Sequence, residues 1–177
     1  MAWTSMEAFV DACRAATAST NPVEAVRAVM ADTVADPVRV AADLPAFEGE
    51  DFVVAHDEAM AVYVVRQTPD TAGPPHDHRM TAVVGMVEGV EVHRLFRHEG
   101  ERVAFEREAR VSAGEVIVLD PDDVHAIANP DPTPSYGLHV YLGDLVTGER
   151  TLWSPDGGDK QPFSVEAYDR YVTAYGG

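Results

Sequence analysis

Short runs of β-branched and aromatic residues, separated by turn-forming residues, constrain this chain more than any other feature of its sequence. Such runs, divided by clusters of Gly, Pro, Asp and Asn, are typical of antiparallel sandwiches and barrels. The runs are Phe52–His56, Met60–Gln67, Met80–Val87, Val90–Phe96, Arg102–Arg110, Glu115–Leu119, Val124–Ala128 and Tyr136–Leu142. Eight short strands predict a mainly β protein, folded as a double-stranded β-helix, which is a jelly-roll barrel.

Helices are predicted on both sides of the strand region. Apolar residues recur at helical spacing from Met6 to Thr17, and a second helix is predicted to begin at Pro22 with Asn21 as its N-cap. A short C-terminal helix is predicted between Ser164 and Tyr175. We expect one domain, because no linker or repeat divides the 177 residues. Its parts are the N-terminal helices (1–36), the barrel core (50–145) and a C-terminal extension (146–177).

The charge balance limits the partners that the chain can have. Thirty acidic and thirteen basic residues give a formal net charge of -17, which repels nucleic-acid backbones and anionic membrane surfaces. The only cysteine, Cys13, excludes an internal disulfide and fits a reducing compartment. No run approaches the roughly 20 apolar residues of a membrane span, and the N-terminus lacks a signal-peptide pattern. We expect a cytoplasmic monomer or homodimer whose partner is a small molecule.

Candidate metal-binding side chains are most concentrated in the segment Gly73-Pro74-Pro75-His76-Asp77-His78. Histidines at positions i and i+2 of a strand point to the same face, so His76 and His78 can reach one point inside a barrel. Asp77 alternates to the opposite face, where a carboxylate can stabilise the turn or support a ligand. A third histidine, His125, follows a predicted hairpin corner. We predict that these three histidines bind one divalent metal ion, and we interpret the other candidates as surface or satisfied side chains: His56, His93 and His98.

The two histidine segments resemble the paired sequence motifs of the cupin superfamily. The pattern Gly-(x)2-His-x-His ends at His78, and Gly-(x)6-Pro-(x)3-His-(x)3-Asn runs from Gly114 to Asn129. Together they give a resemblance over about residues 50–145. Many cupins carry a glutamate ligand shortly after the second histidine, but the matching positions here are Ala82 and Val83. The resemblance therefore implies a cupin whose metal is held by imidazoles without a carboxylate.

The resemblance implies that the metal is one Fe(II) ion per chain, with O2 as co-substrate. Three neutral imidazoles leave a divalent ion its full charge and leave coordination positions open for an anionic substrate and dioxygen. Imidazole ligands also suit zinc, copper or nickel, so the choice of iron rests on the family resemblance.

A second motif, Gly137-Leu138-His139-Val140-Tyr141, follows His125 by a short interval. It resembles the Ser-x-His-x-Tyr motif of thiol dioxygenases, the cysteine dioxygenase type of cupin. The resemblance implies that Tyr141 hydrogen-bonds the bound oxygen or substrate and that His139 fixes its hydroxyl. Gly137 replaces the serine of the motif, so we expect His139 to lack its outer partner. The implied activity is oxidation of a small thiol, of the 3-mercaptopropionate, cysteine or cysteamine class, to its sulfinate.

The substrate-binding residue is not fixed by these motifs. Cysteine-oxidising members of that family use an arginine upstream of the His-x-His pair, and the segment Ala46–Asp57 contains none. Arg66 or Arg79 is predicted to bind the substrate carboxylate instead, which favours a mercapto acid. Because a fold does not determine a reaction, two alternatives stay open: another metal-dependent cupin, such as a carbon-carbon-cleaving dioxygenase or an isomerase, and a non-enzymatic barrel that binds a small ligand.

Overall fold

The computed structural model describes residues 4–176, which form four α-helices and thirteen β-strands. The helices are α1 (Met6–Thr17), α2 (Pro22–Val34), α3 (Pro37–Ala42) and α4 (Val165–Tyr171). The strands are β1 (Asp51–His56), β2 (Ala61–Gln67), β3 (Thr71–Ala72), β4 (His76–Asp77), β5 (Ala82–Glu88), β6 (Val90–Glu99), β7 (Arg102–Ser112), β8 (Val116–Leu119), β9 (Val124–Asn129), β10 (Ser135–Tyr141), β11 (Thr151–Trp153), β12 (Lys160–Pro162) and β13 (Thr173–Ala174).

All of the predicted strands are present, as β1, β2 and β5 to β10. The strands that the pattern missed are β3, β4, β11, β12 and β13, each of two or three residues, too short for an alternating pattern. The six-residue helix α3 was also missed, although Asp36 caps it and Pro37 begins it. The C-terminal helix ends at Tyr171, earlier than predicted, because the chain then extends to pair β13 with β3.

Capping side chains also explain where α1 and α4 begin. The Ser5 hydroxyl accepts a hydrogen bond from the Ala8 amide at 3.2 Å, and the Ser164 hydroxyl accepts one from the Ala167 amide at 3.2 Å. The Asn21 side chain makes no capping hydrogen bond, although Asn21 is the N-cap residue of α2. The start of α2 therefore depends on Pro22, whose fixed φ angle suits the first helical position.

The strands form two sheets. One has the order β1-β2-β10-β5-β8, and the other contains β12-β11-β4-β9-β3-β13, with β6 pairing both β9 and β7. Within the second sheet, His76 on β4 lies opposite His125 on β9, and His93 on β6 lies opposite Ile127 of the same strand. Strand β9, which carries His125, therefore pairs with both the strand of His76 and the strand of His93.

Helices α1 to α3 cover the outer face of the five-stranded sheet. Val26 and Met30 of α2 are fully buried in one cluster with Val83, Leu138 and Val140 of the sheet. Burial of one such side chain contributes about 1.5–3 kcal/mol to folding. This cluster occupies one face of the sheet and leaves the opposite face for other residues. Among residues 4–176, no helix has the length and apolar character needed to cross a membrane.

Candidate metal centre

The three predicted ligands meet inside the protein. One ring nitrogen from each of His76, His78 and His125 lies within 4.8 Å of the others, and all three residues are buried. The pairing of β4 with β9 sets His76 directly across from His125, and His78 follows two residues after His76. Ring centroids are 4.7 to 5.1 Å apart among the three pairs. The structure thus brings together histidines that are separated by 47 residues in the chain.

The geometry of these rings fits a metal ion. Nδ1 of His76 lies 3.0 Å from the Pro74 carbonyl oxygen, which can only accept, so Nδ1 carries the proton and Nε2 has a free lone pair. The Nε2 atoms of His78 and His125 are 2.9 Å apart. Two imidazole nitrogens bound at right angles to one ion, each at about 2.1 Å, are about 3 Å apart. The residues present can therefore hold a divalent ion through imidazole nitrogens.

Burial keeps the three rings in the form that binds metals. Burial lowers the pKa of His76 to about 4, and it lowers the pKa values of His78 and His125 well below the ordinary value for histidine. Neighbouring histidines and Arg150 lower the pKa of His78 further. A neutral imidazole is the species that coordinates a metal, so these ligands need no deprotonation at neutral pH.

No carboxylate occupies the position where many cupins have a glutamate ligand. Ala82 lies opposite Tyr141 in the pairing of β5 with β10, and both residues belong to one buried cluster. Val83, the next residue, packs on the other face of the sheet among the helices. The side chain nearest that glutamate position is thus a methyl group, and the ligand set is made of imidazoles.

Tyr141 lies beside the three histidines. Its ring centroid is 4.8 Å from that of His78, and its hydroxyl lies 3.3 Å from Nδ1 of His139. The ring of Tyr63 contacts Tyr141 edge to face at 5.8 Å. Burial raises the pKa of Tyr141 well above the ordinary value, so its hydroxyl stays protonated. The structure brings His139 and Tyr141 together next to the candidate ligands, while their chemical roles stay predictions.

The histidines outside the cluster differ in position. His56 pairs with Asp144 at 2.8 Å near the surface, and the ring of His98 lies 5.7 Å from that of Trp153. His93 is fully buried, and its Nδ1 lies 3.2 Å from Nδ1 of His125, with the two rings nearly parallel. His93 is therefore a buried side chain whose Nδ1 contacts a candidate ligand, and its Nε2 makes no hydrogen bond of good geometry among the described residues.

A cavity of about 560 Å³ opens beside the centre. His76, His78, His139 and Tyr141 contribute to its wall. Its remaining lining residues include Asp51, Tyr63, Arg150, Phe163 and Tyr168. This volume is that of a small-molecule site, and its wall combines aromatic rings with a few polar groups, as ligand pockets usually do.

Arg66 and Arg79 are not among the residues that line this cavity. Arg66 lies opposite Tyr136, on the face of β2 and β10 that packs under the helices, because side chains alternate along a strand. The guanidinium of Arg79 turns back to donate to Asp77 at 3.1 Å and to the Thr151 hydroxyl at 3.2 Å, and this side chain is 58% exposed. The structure therefore does not bring either arginine to the site.

Arg150 is the arginine that lines the cavity. Its guanidinium carbon lies 3.8 Å from the ring centre of Phe163, and the guanidinium makes no hydrogen bond or close ion pair with another residue of 4–176. Partial burial lowers its pKa, although the guanidinium remains charged because its ordinary value is so high. Sequence motifs could not identify Arg150, since it lies in a loop well after the last motif.

Asp77 supports the centre without pointing into it. Its carboxylate accepts a hydrogen bond from the Thr151 amide at 2.7 Å as well as the one from Arg79. These contacts link the His-x-His segment to β11, which pairs with β4. The predicted position of Asp77, on the face opposite the ligands, matches this arrangement.

Glu91 is a buried carboxylate that the sequence reasoning missed. Its Oε1 lies 2.8 Å from Nε2 of His93, and its Oε2 lies 3.5 Å from Nε2 of His139. Only 1% of Glu91 is exposed. Its signal was available, because Glu91-x-His93 has the same two-residue spacing on a predicted strand as the His-x-His pair.

No family model matches the sequence. A double-stranded β-helix protein from Klebsiella pneumoniae is similar in structure, with a TM-score of 0.50 and 18% identity, over 64% of this chain and 87% of that chain. A cupin superfamily protein from Desulfitobacterium hafniense gives a TM-score of 0.47 and 14% identity, over 59% of this chain and 88% of that chain. A mutant of Bacillus subtilis oxalate decarboxylase gives a TM-score of 0.45 and 18% identity, over 60% of this chain and 29% of that chain.

These similarities concern the fold, since the identities lie far below the level at which function can be transferred. The two antiparallel sheets, the helices outside them and the likeness to the Klebsiella protein agree with one another. The protein is mainly β and has a double-stranded β-helix fold, as the sequence predicted.

Proposed function

We propose that the protein is an iron(II) thiol dioxygenase that oxidises a small carboxylate-bearing thiol to its sulfinate with O2. The observation that carries the proposal is the shared location of three neutral imidazoles and the protonated hydroxyl of Tyr141, with Ala82 where many cupins have a carboxylate. The motif that contains His139 and Tyr141 resembles the Ser-x-His-x-Tyr motif of thiol dioxygenases, with Gly137 in place of the serine. The reaction is balanced without a reductant, because both atoms of O2 are transferred to one sulfur.

His76, His78 and His125 would hold the iron, which when bound would lower the pKa of the substrate thiol and bring sulfur and oxygen within reach. These residues supply no negative charge to the ion. A neutral ligand set favours an anionic substrate such as a thiolate, because the charge of the ion is then balanced by the substrate.

Arg150 would bind the carboxylate of the substrate. Its guanidinium faces the same cavity as His76 and His78 and is free to form a bidentate contact. Stacking over Phe163 holds the guanidinium plane in place. Arg150 thus replaces Arg66 and Arg79 as the residue that we assign to this contact.

Tyr141 would orient the substrate by hydrogen bonding. Its hydroxyl keeps its proton and can donate a hydrogen bond either to Nδ1 of His139, 3.3 Å away, or to a bound substrate. The edge-to-face contact with Tyr63 limits movement of the ring. Tyr141 is only 7% exposed, and a buried hydrogen bond is stronger than one in water.

The test is oxygen uptake by protein that has been reconstituted anaerobically with Fe(II). The substrate panel contains 3-mercaptopropionate, cysteine and cysteamine, and the product is identified by mass spectrometry. We expect uptake with 3-mercaptopropionate and a product that has gained two oxygen atoms. The matched control is Arg66→Ala, which changes an arginine outside the cavity and leaves uptake unchanged. Full iron loading without thiol-dependent uptake would contradict the proposal and favour another metal-dependent cupin reaction.

A further inference from the structure

We propose that Glu91 is a positioning residue that fixes the proton arrangement on both sides of the centre. Through His93 it sets which nitrogen of His125 is free to bind metal, and directly it holds the ring of His139 that contacts Tyr141. This inference rests on the part of the proposed function that makes His125 a metal ligand. It does not depend on which substrate is oxidised.

The position of Glu91 is what suggests this role. Glu91, His93 and His139 are 1%, 0% and 2% exposed, respectively, so water does not compete for their polar atoms. Each carboxylate oxygen approaches a different ring: Oε1 is 2.8 Å from Nε2 of His93, and Oε2 is 3.5 Å from Nε2 of His139. Both contacts have ion-pair distances without the alignment of straight hydrogen bonds. One carboxylate therefore serves two histidines.

The first chain of contacts leads to the candidate ligand His125. An ionised carboxylate can only accept, so Nε2 of His93, 2.8 Å from Oε1 of Glu91, carries a proton in the proposed arrangement. Nδ1 of His93 is then the acceptor in that arrangement, and it lies 3.2 Å from Nδ1 of His125. His125 must donate from Nδ1 and therefore keeps its lone pair on Nε2. That nitrogen is the one that lies 2.9 Å from His78, on the side of the candidate metal position.

The second chain leads to Tyr141. The other oxygen of Glu91 favours a proton on Nε2 of His139, which leaves Nδ1 of that ring facing the Tyr141 hydroxyl at 3.3 Å. The sequence predicted that His139 lacks an outer partner, because Gly137 replaces a serine. The structure places Glu91, from β6 of the other sheet, at this edge of the ring, with Oε2 3.5 Å from Nε2 of His139.

Close packing at Gly137 explains why that partner comes from another strand. A Cβ atom on Gly137 would lie 3.1 Å from Nε2 of His139 and 3.0 Å from the sulfur of Met86. A side chain at this position would therefore crowd the edge of His139 that faces Glu91. Glycine keeps that edge open for the carboxylate.

The charge of Glu91 agrees with this arrangement. Burial by itself would raise the pKa of Glu91, but His139 and His93 outweigh it and hold the pKa below its ordinary range. The carboxylate is thus ionised at neutral pH. A buried carboxylate without its partners is strongly destabilising, so the three residues stabilise one another as a unit.

The test measures proton positions in metal-free protein by long-range ¹H–¹⁵N spectra of ¹⁵N-labelled histidines. We expect wild-type His125 to be protonated on Nδ1 and His93 on Nε2. In Glu91→Gln the amide can donate as well as accept and has no charge, so we expect a change of tautomer at His93 or His125. Zinc affinity, measured by chelator competition, is expected to fall about 10- to 100-fold.

The matched control is Glu88→Gln, which makes the same chemical change at an exposed residue and leaves spectra and zinc affinity unchanged. Wild-type His125 protonated on Nε2, or Glu91→Gln with unaltered tautomers and zinc affinity, would overturn the inference. If Glu91→Gln does not fold, the inference is tested by the same two measurements on Glu91→Asp and by the wild-type spectrum. Neither measurement involves a thiol or O2, so failure of the proposed reaction is separately recognisable.

Discussion

The two faces of β10 differ in chemistry although their residues alternate one by one. Leu138 and Val140 point outward and are fully buried against the N-terminal helices. His139 and Tyr141 point inward, toward the candidate ligands and the cavity. The inward residues carry polar atoms that need specific partners, whereas the outward residues need only apolar surroundings. Because side chains alternate along the strand, one face of β10 contributes to folding stability and the other face contributes to the candidate site.

The two faces of β10 should therefore respond differently to substitution. Changes on the helix-facing side should lower the free energy of unfolding and leave metal binding intact. Changes on the inward side should alter metal retention or turnover. The same division applies to β5, where Val83 packs under the helices and Ala82 lies beside Tyr141.

The largest effect is expected for His125→Ala. Loss of one of three imidazoles removes a ligand from a centre that has no carboxylate to replace it, so metal retention should be abolished. Metal analysis of protein reconstituted with Fe(II) or Zn(II) and then desalted measures this directly. The control is His56→Ala, which removes a histidine near the surface and should retain a full equivalent. Full retention by His125→Ala would mean that the three histidines are not the metal site.

Leu138→Ala tests the opposite face of β10. This side chain is fully buried beneath the helices, so its truncation should lower the free energy of unfolding by about 2–5 kcal/mol. Denaturant unfolding of metal-free protein gives the value. Zinc affinity of the folded variant should match that of the wild type, and a large loss of affinity would show that the two faces are not independent.

Tyr141→Phe separates the hydroxyl from the ring. The variant keeps the ring contacts with Tyr63 and His78 and loses only the hydrogen bond with His139. We expect full iron content and a turnover number reduced about 100-fold, the usual cost of one well-placed donor. Steady-state oxygen uptake with parallel metal analysis measures both quantities. Equal loss of metal and activity would indicate that the hydroxyl is structural.

The sequence predicts those parts of this molecule that depend on local patterns. Strand β10 and the inward direction of His139 and Tyr141 follow from alternation, and His76 and His78 follow from spacing alone. Strand β4, which carries His76, is only two residues long and depends on its pairing with β9 and β11. Such pairings are tertiary, so no local pattern reveals them.

The same reason explains why Glu91 and Arg150 were missed. The role proposed for Glu91 can be recognised only when β6 is known to lie beside β9, because that pairing sets His93 next to His125. Arg150 reaches the cavity from a loop that precedes β11, and none of its neighbours along the chain belongs to a motif that would indicate a site. A residue's chemical type can be read from the sequence, but its neighbours across the sheet cannot.

The smallest effect, and the most selective one, is expected for Arg150→Ala. A charge-assisted hydrogen bond to a carboxylate contributes about 1.5–3 kcal/mol, so the KM for 3-mercaptopropionate should rise about 10- to 100-fold. The KM for cysteamine, which has no carboxylate, should stay unchanged, because its binding does not use the guanidinium. Steady-state kinetics with both thiols provides the comparison within one variant. Arg79→Ala is the matched control, since its side chain contacts Asp77 and Thr151 outside the cavity and should alter neither KM. An equal rise of KM for both thiols would mean that Arg150 shapes the cavity without recognising the carboxylate.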